Sequence, residues 1–131
     1  METNISPWAG SVCLTSPDGK LTAAIDDARE VGQGAPTYGT LNISNGMSYR
    51  SCNPSIVWSD DSQYLAVPQW TRERNQRLLV ISLVRESSGY APGLFSVLEL
   101  HSFLDGKIKG IDSPIYQPRE IEIDVSRIQW E

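Results

Sequence analysis

One histidine, two cysteines and two methionines are all the imidazole and sulfur that this 131-residue chain offers. Cys13 and Cys52 stand too far apart for any zinc-ligand pattern, so metal chemistry on that plan is excluded and no cofactor is implied. Both thiols are expected to be reduced, buried and inert. Long apolar runs are missing as well: the stretch from Leu78 to Val84 is interrupted by Ser82 and falls far short of the ~20 residues that a membrane-spanning helix needs. The first eight residues, Met1 to Trp8, contain neither a basic region nor an apolar one, so no secretory signal is read and a cytoplasmic address is expected. Basic charge is in short supply, with 11 Lys and Arg against 16 Asp and Glu, a net charge of -5. That balance repels phosphate backbones and anionic lipid, which leaves nucleic acid and membranes out as partners.

What the chain does hold is a repeated phrase. Cys13-Leu14-Thr15-Ser16-Pro17-Asp18-Gly19-Lys20-Leu21-Thr22-Ala23-Ala24 and Ile56-Val57-Trp58-Ser59-Asp60-Asp61-Ser62-Gln63-Tyr64-Leu65-Ala66-Val67 lie 43 positions apart, and each reads as apolar strand, polar turn, apolar strand. Serine bonds the turn backbone, proline fixes φ for the second turn position, and glycine accepts the left-handed geometry that follows. No segment shows sustained helical periodicity, so the reading is a single all-β antiparallel domain over residues 1–131. One unit is expected over about 11–52, with Asn45-Gly46 as a hairpin turn because both residues tolerate positive φ. A second is expected over about 55–100, with 94–100 as its closing strand and 86–93 as a loop. C-terminal strands follow over about 104–130, where Asp105-Gly106-Lys107 either opens a third unit or joins two outer strands. Over 120–128, Ile121, Ile123 and Val125 are expected to face the core, with Glu120, Glu122 and Asp124 facing water.

The strand, Ser-Pro-Asp-Gly-Lys or Trp-Ser-Asp-Asp-Ser, then Tyr-Leu-Ala-Val pattern resembles the first hairpin of blades in WD-repeat-like propellers, above all the Tol-type and prolyl-oligopeptidase-type ones, although the Trp-Asp dipeptide is absent. The resemblance covers about residues 12–84. It implies four-stranded blades and a binding surface at the loop ends, and it carries over no catalytic residue. Two or three units are too few for a closed monomeric propeller, which needs roughly 4 to 8 blades. The alternatives are a compact β-sandwich or a homo-oligomer in which neighbouring copies complete the ring, and self-association is expected to cover the leftover faces.

No catalytic constellation assembles in the sequence. The segment Gly46-Met47-Ser48-Tyr49-Arg50 lacks the second glycine of a nucleophile elbow, and Gly32-Gln33-Gly34 lacks the third glycine of a phosphate cradle. His101 shares a strand face with Glu99, which suits a solvated pair. An enzyme would have to draw on Asp26, Asp27, Asp60, Asp61 and His101. The surface candidate is Trp70, Arg72, Arg74 and Arg77, an aromatic and three guanidinium groups around one hairpin loop, since Trp and Arg are the types most enriched at binding hot spots. The expected function is therefore a non-catalytic protein-binding or assembly module, with an acidic protein surface as the natural partner for that loop. A small acidic inhibitor or immunity-type protein that neutralises a basic enzyme is the second reading, and a hydrolase or metal-assisted enzyme the third.

Overall fold

A computed structural model describes residues 5–26, 28–30 and 36–131. Asp27 and Gly32-Gln33-Gly34 lie outside the described residues. The chain is all-β and antiparallel, and its sheets close into neither a barrel nor a propeller. Ten strands are linked into one sheet that folds into two layers, called the first and second sheets below. The first contains β1 (Val12–Thr15), β2 (Thr22–Ile25), β4 (Thr37–Ile43) and β5 (Ser48–Cys52), with the short β3 (Arg29–Glu30) beside β4. The second contains β6 (Val57–Trp58), β7 (Tyr64–Trp70), β8 (Gln76–Ser82), β9 (Ser87–Tyr90) and, last in the chain, β13 (Gln129–Trp130). A third sheet is built from β10 (Leu98–Leu104), β11 (Lys107–Asp112) and β12 (Arg119–Asp124).

Alternation of side chains makes the second sheet the middle layer. Trp58, Leu65, Val67, Leu79 and Ile81 pack against Val12, Ala23, Ile25, Leu41 and Ile43 of the first sheet. Their neighbours Val57, Ala66, Leu78 and Val80 point the other way, onto Leu98, Leu100, Phe103 and Ile108 of the third. A strand buried on both faces has no reason to alternate, and this explains the continuous apolar run in β8. The first two sheets are joined where the end of β5 begins to pair with β7: Cys52 is opposite Gln69, and the Asn53 N–H donates to the Pro68 carbonyl at 2.8 Å.

The two repeated turns are superimposable in their bonding. Ser16 Oγ donates to Asp18 Oδ1 at 2.6 Å and accepts from Leu21 N at 3.1 Å, while Asp18 Oδ1 also accepts from Lys20 N at 3.0 Å. Ser59, Asp61, Gln63 and Tyr64 repeat this at 2.6, 3.0 and 2.9 Å. Where the two sequences differ, the difference links one turn to the next. Gly19 gives way to Ser62, also left-handed at φ 64°, and the Ser62 hydroxyl accepts from Asp18 N at 2.9 Å. Pro17 gives way to Asp60, whose N–H, which proline lacks, donates to Phe103 O at 3.1 Å and whose Oδ2 accepts from Asp105 N at 3.4 Å. The third turn, Asp105-Gly106, is a two-residue hairpin with both φ positive, 51° and 74°. The three hairpin tips therefore form a chain across one end of the molecule.

Several expectations need correction. The fourth strand of the second unit is β9, within the segment read as a loop, whereas residues 94–97 lie before β10 and Leu98 opens the third sheet. Asn45-Gly46 does join β4 to β5 as expected, with Gly46 left-handed at φ 100° in a five-residue turn closed by Ile43 N donating to Met47 O at 2.9 Å. The last predicted strand stops at Asp124, where a 3-10 turn (Val125–Arg127) begins under an Asp124 cap. Cys13 is exposed on the outer face of the first sheet, while Cys52 is buried. Burial pushes the Cys52 thiol up to about 12. Finally, β13 fits over β9 only because Gly89 has no side chain: a Cβ there would stand 2.5 Å from Gln129 O.

Candidate functional site

At the end of the sheets opposite the linked tips, β7 turns into β8 through Thr71 to Asn75. The turn is closed by Thr71 N donating to Asn75 O at 2.9 Å and Arg74 N donating to Thr71 O at 3.2 Å, the same pattern that Gly46 completes in the β4–β5 hairpin. Here the left-handed position is occupied by Arg74, at φ 65°. Left-handed backbone costs a side-chain-bearing residue roughly 1 kcal/mol relative to glycine, so this position holds a guanidinium against local preference.

Trp70, the last residue of β7, is half-buried and its indole N–H donates to Thr37 O at 3.4 Å. Thr37 in turn donates its hydroxyl to Ala9 O at 2.6 Å and its N–H to Pro7 O at 3.0 Å, which fixes the segment that carries Trp8. On the other side, the buried Asp112 carboxylate accepts from Ser96 N at 2.9 Å and Val97 N at 3.2 Å and pairs with Arg119 at 3.2 Å. These bonds hold Val97 opposite Trp70. Between the two walls lies an open groove of about 440 Å³, lined by Trp8, Trp70, Arg74, Val97, Ile115 and Tyr116 among others. Ile115 and Tyr116 are 63% and 88% exposed, a large apolar surface left in water. Arg74 is the one charged side chain among the described lining residues, and no carboxylate faces it there.

Of the residues singled out in the sequence, Trp70 and Arg74 meet in this groove and Arg72 is exposed on the same turn. Arg77 does not join them. It lies one residue into β8, with its guanidinium 3.8 Å from the centroid of the Tyr90 ring, and so braces the β8–β9 pair. The Tyr90 hydroxyl donates to Gln69 at 2.7 Å; burial first, then the nearby Glu131, raises this phenol above its usual value, with Arg77 pulling the other way. Trp8, Val97, Ile115 and Tyr116 went unnoticed in the sequence. Only Ile115-Tyr116, an apolar pair between Pro114 and Pro118, carried a signal: large apolar side chains in a proline-bounded loop.

The residues that an enzyme would draw on are dispersed. Asp26 follows β2 at the end remote from the linked tips, whereas Asp60 and Asp61 are turn residues within those tips. His101 sits at a bulge in β10 and contacts Glu99 at 2.8 Å. Among the described residues no three His, Cys, Asp or Glu side chains group as metal ligands. Among the described residues no helix is long and apolar enough to cross a membrane. No known protein family matches the chain, and neither a curated protein nor a solved structure matches it.

Proposed function

We propose that this protein is a non-catalytic binding module which takes an acidic segment of a partner protein, anchored by an apolar side chain, into the groove between Trp8, Trp70 and Tyr116. In this reading the three sheets are propeller-blade-like units serving as a scaffold, and loop ends make the contact. One observation carries it: an aromatic and an arginine from one hairpin meet apolar residues from distant segments around an open groove that, among the described residues, holds no carboxylate. Its volume lies within the roughly 300–1,000 Å³ of ligand pockets, but its open shape suits one or two inserted side chains better than a small molecule, which such pockets enclose. Arg74 in the groove wall, with Arg72 exposed on the same turn beside Glu73, favours negative charge beside the anchor. The exposed free thiol of Cys13 suits a reducing compartment, in keeping with a cytoplasmic place of work.

A heterologous partner is favoured over further copies of the chain by the outer faces of the stack. Cys13, Thr15, Thr22 and Asn42 line the first sheet's outer face, and Lys107, Lys109, Glu120 and Glu122 that of the third. Completing a ring from copies would bury small and charged groups, with little apolar area to drive it. Fluorescence anisotropy with a labelled peptide of aspartates flanking one tryptophan provides the test. Binding is expected to weaken as salt rises, to fall at least tenfold in the double variant R72E/R74E, and to fall severalfold in Y116A, whose exposed side chain is dispensable for folding. Equal affinity for a lysine-flanked control peptide, or indifference to all three substitutions, would refute the reading.

A further inference from the structure

The third sheet has three strands, β10-β11-β12, and among the described residues it ends at β12, which pairs with β11 alone. The later strand β13 goes to β9 instead. Six consecutive residues of β12 therefore present a free edge of about 20 Å. Beside it lies a groove of about 580 Å³, whose walls are β12 and the segment bearing Pro92 and Phe95, with Lys107 and Arg127 at the Asp124 end. Ile121 and Ile123 are half-buried, packed on the same core as Phe95, while Glu120, Glu122 and Asp124 project from the opposite, exposed face. Glu122 is paired with Lys109 at 3.4 Å across the sheet, and among the described residues Glu120 pairs with no cation.

We propose that the free edge of β12 accepts an extended strand from a partner protein, one that alternates basic with apolar residues, and that this strand extends the third sheet. Backbone hydrogen bonds to β12 would supply the pairing, as in strand addition generally. Side chains supply the selection. On the exposed face the incoming residues stand beside Glu120, Glu122 and Asp124. Since Glu122 and Asp124 already face Lys109 and Lys107, lysine or arginine is attracted chiefly at Glu120, where an acidic side chain is repelled. On the other face, apolar residues extend the layer formed by Ile121, Ile123 and Phe95. Carboxylates along an open edge also discourage indiscriminate pairing with neutral strands, so the same column that protects the edge defines what it admits. This site is separate from the Trp70 groove and prefers the opposite charge, so neither proposal depends on the other.

A seven-residue peptide alternating lysine and valine is the probe, with binding followed by anisotropy and by hydrogen exchange of the β12 amides. At low salt the peptide is expected to bind and to slow exchange along residues 119–124 at least tenfold, with E120Q/E122Q weakening binding at least fivefold. Two N-methylated forms of the peptide decide whether the contact is a strand pairing. Methylation along the edge that faces β12 is expected to abolish binding, and methylation along the outer edge to spare it. Equal binding of both forms, or of a scrambled peptide, would reduce the contact to ionic adhesion and overturn the proposal. No binding at millimolar peptide, protection elsewhere in the chain, or pairing of β12 with a second copy in light scattering would overturn it as well.

Discussion

Arg74 fills a left-handed turn position that Gly46 fills in the β4–β5 hairpin, and the two turns close with the same pair of backbone bonds. Replacing it with glycine relieves the backbone, so R74G is expected to raise stability by about 0.5–1 kcal/mol in urea unfolding while weakening capture of the acidic peptide. Loss of stability, or undiminished capture, would argue that the arginine holds the fold rather than the partner. Asp18 reports on the linked tips through acid. Hydrogen bonds from the Ser16 hydroxyl and then the Lys20 N–H hold its carboxyl below the usual carboxylate value of 3.8. A carboxyl that titrates lower when folded stabilises fully above its unfolded pKa and loses that contribution as pH falls through the folded one. D18N is therefore expected to unfold with a shallower acid dependence than the parent, as followed by circular dichroism between pH 5 and 2. At this scale the turns were legible in the sequence because Ser, Asp and Gly act on their own backbone, whereas the place of Arg77 depends on strand register and on Tyr90.

Hairpins repeat in this chain because one bonding pattern is written twice, and the buried serine is its pivot. Ser16 and Ser59 are 4% and 2% exposed, and each hydroxyl both donates to an aspartate and accepts a backbone N–H. S16A and S59A each leave that N–H without its partner and are expected to cost about 1–3 kcal/mol in chemical denaturation. A neutral result at both would mean the turns form without the serine. S62G tests the link rather than the turn: it eases φ but removes the acceptor for Asp18 N, so any gain in stability is expected to be smaller than for R74G. The strand that the sequence hid is β9, Ser87–Tyr90, which has no β-branched or alternating apolar residues to announce it. It forms because β8 offers an edge and because Gly89 lets β13 lie close above it. The Leu94–Leu100 stretch looked more strand-like, yet a strand begins only at Leu98, where Gln76 and Asn53 take up its backbone N–H and C=O at 2.7 and 3.1 Å.

Three antiparallel layers share two cores, and the middle sheet belongs to both. The all-β class and the repeated hairpins were legible because period-two patterning and turn chemistry are local. Stacking order was not, since it depends on which face each apolar residue of β7 and β8 chooses. The groove is a property of the whole molecule: Trp8, Trp70, Val97 and Tyr116 come from four separate stretches and meet only after the sheets have stacked. Charge divides in the same way, with arginines at the β7–β8 end and carboxylates along β12, on a chain whose net charge is -5. The most direct test of the account is an NMR titration with the aspartate-tryptophan peptide, reading all four tryptophan indoles at once. The indole signals of Trp8 and Trp70 are expected to shift with the Ile115 methyls, while Trp58, buried with its N–H on Leu14 O, and Trp130 beside Tyr64 stay in place. Shifts confined to the linked tips, or to Trp130 alone, would contradict it.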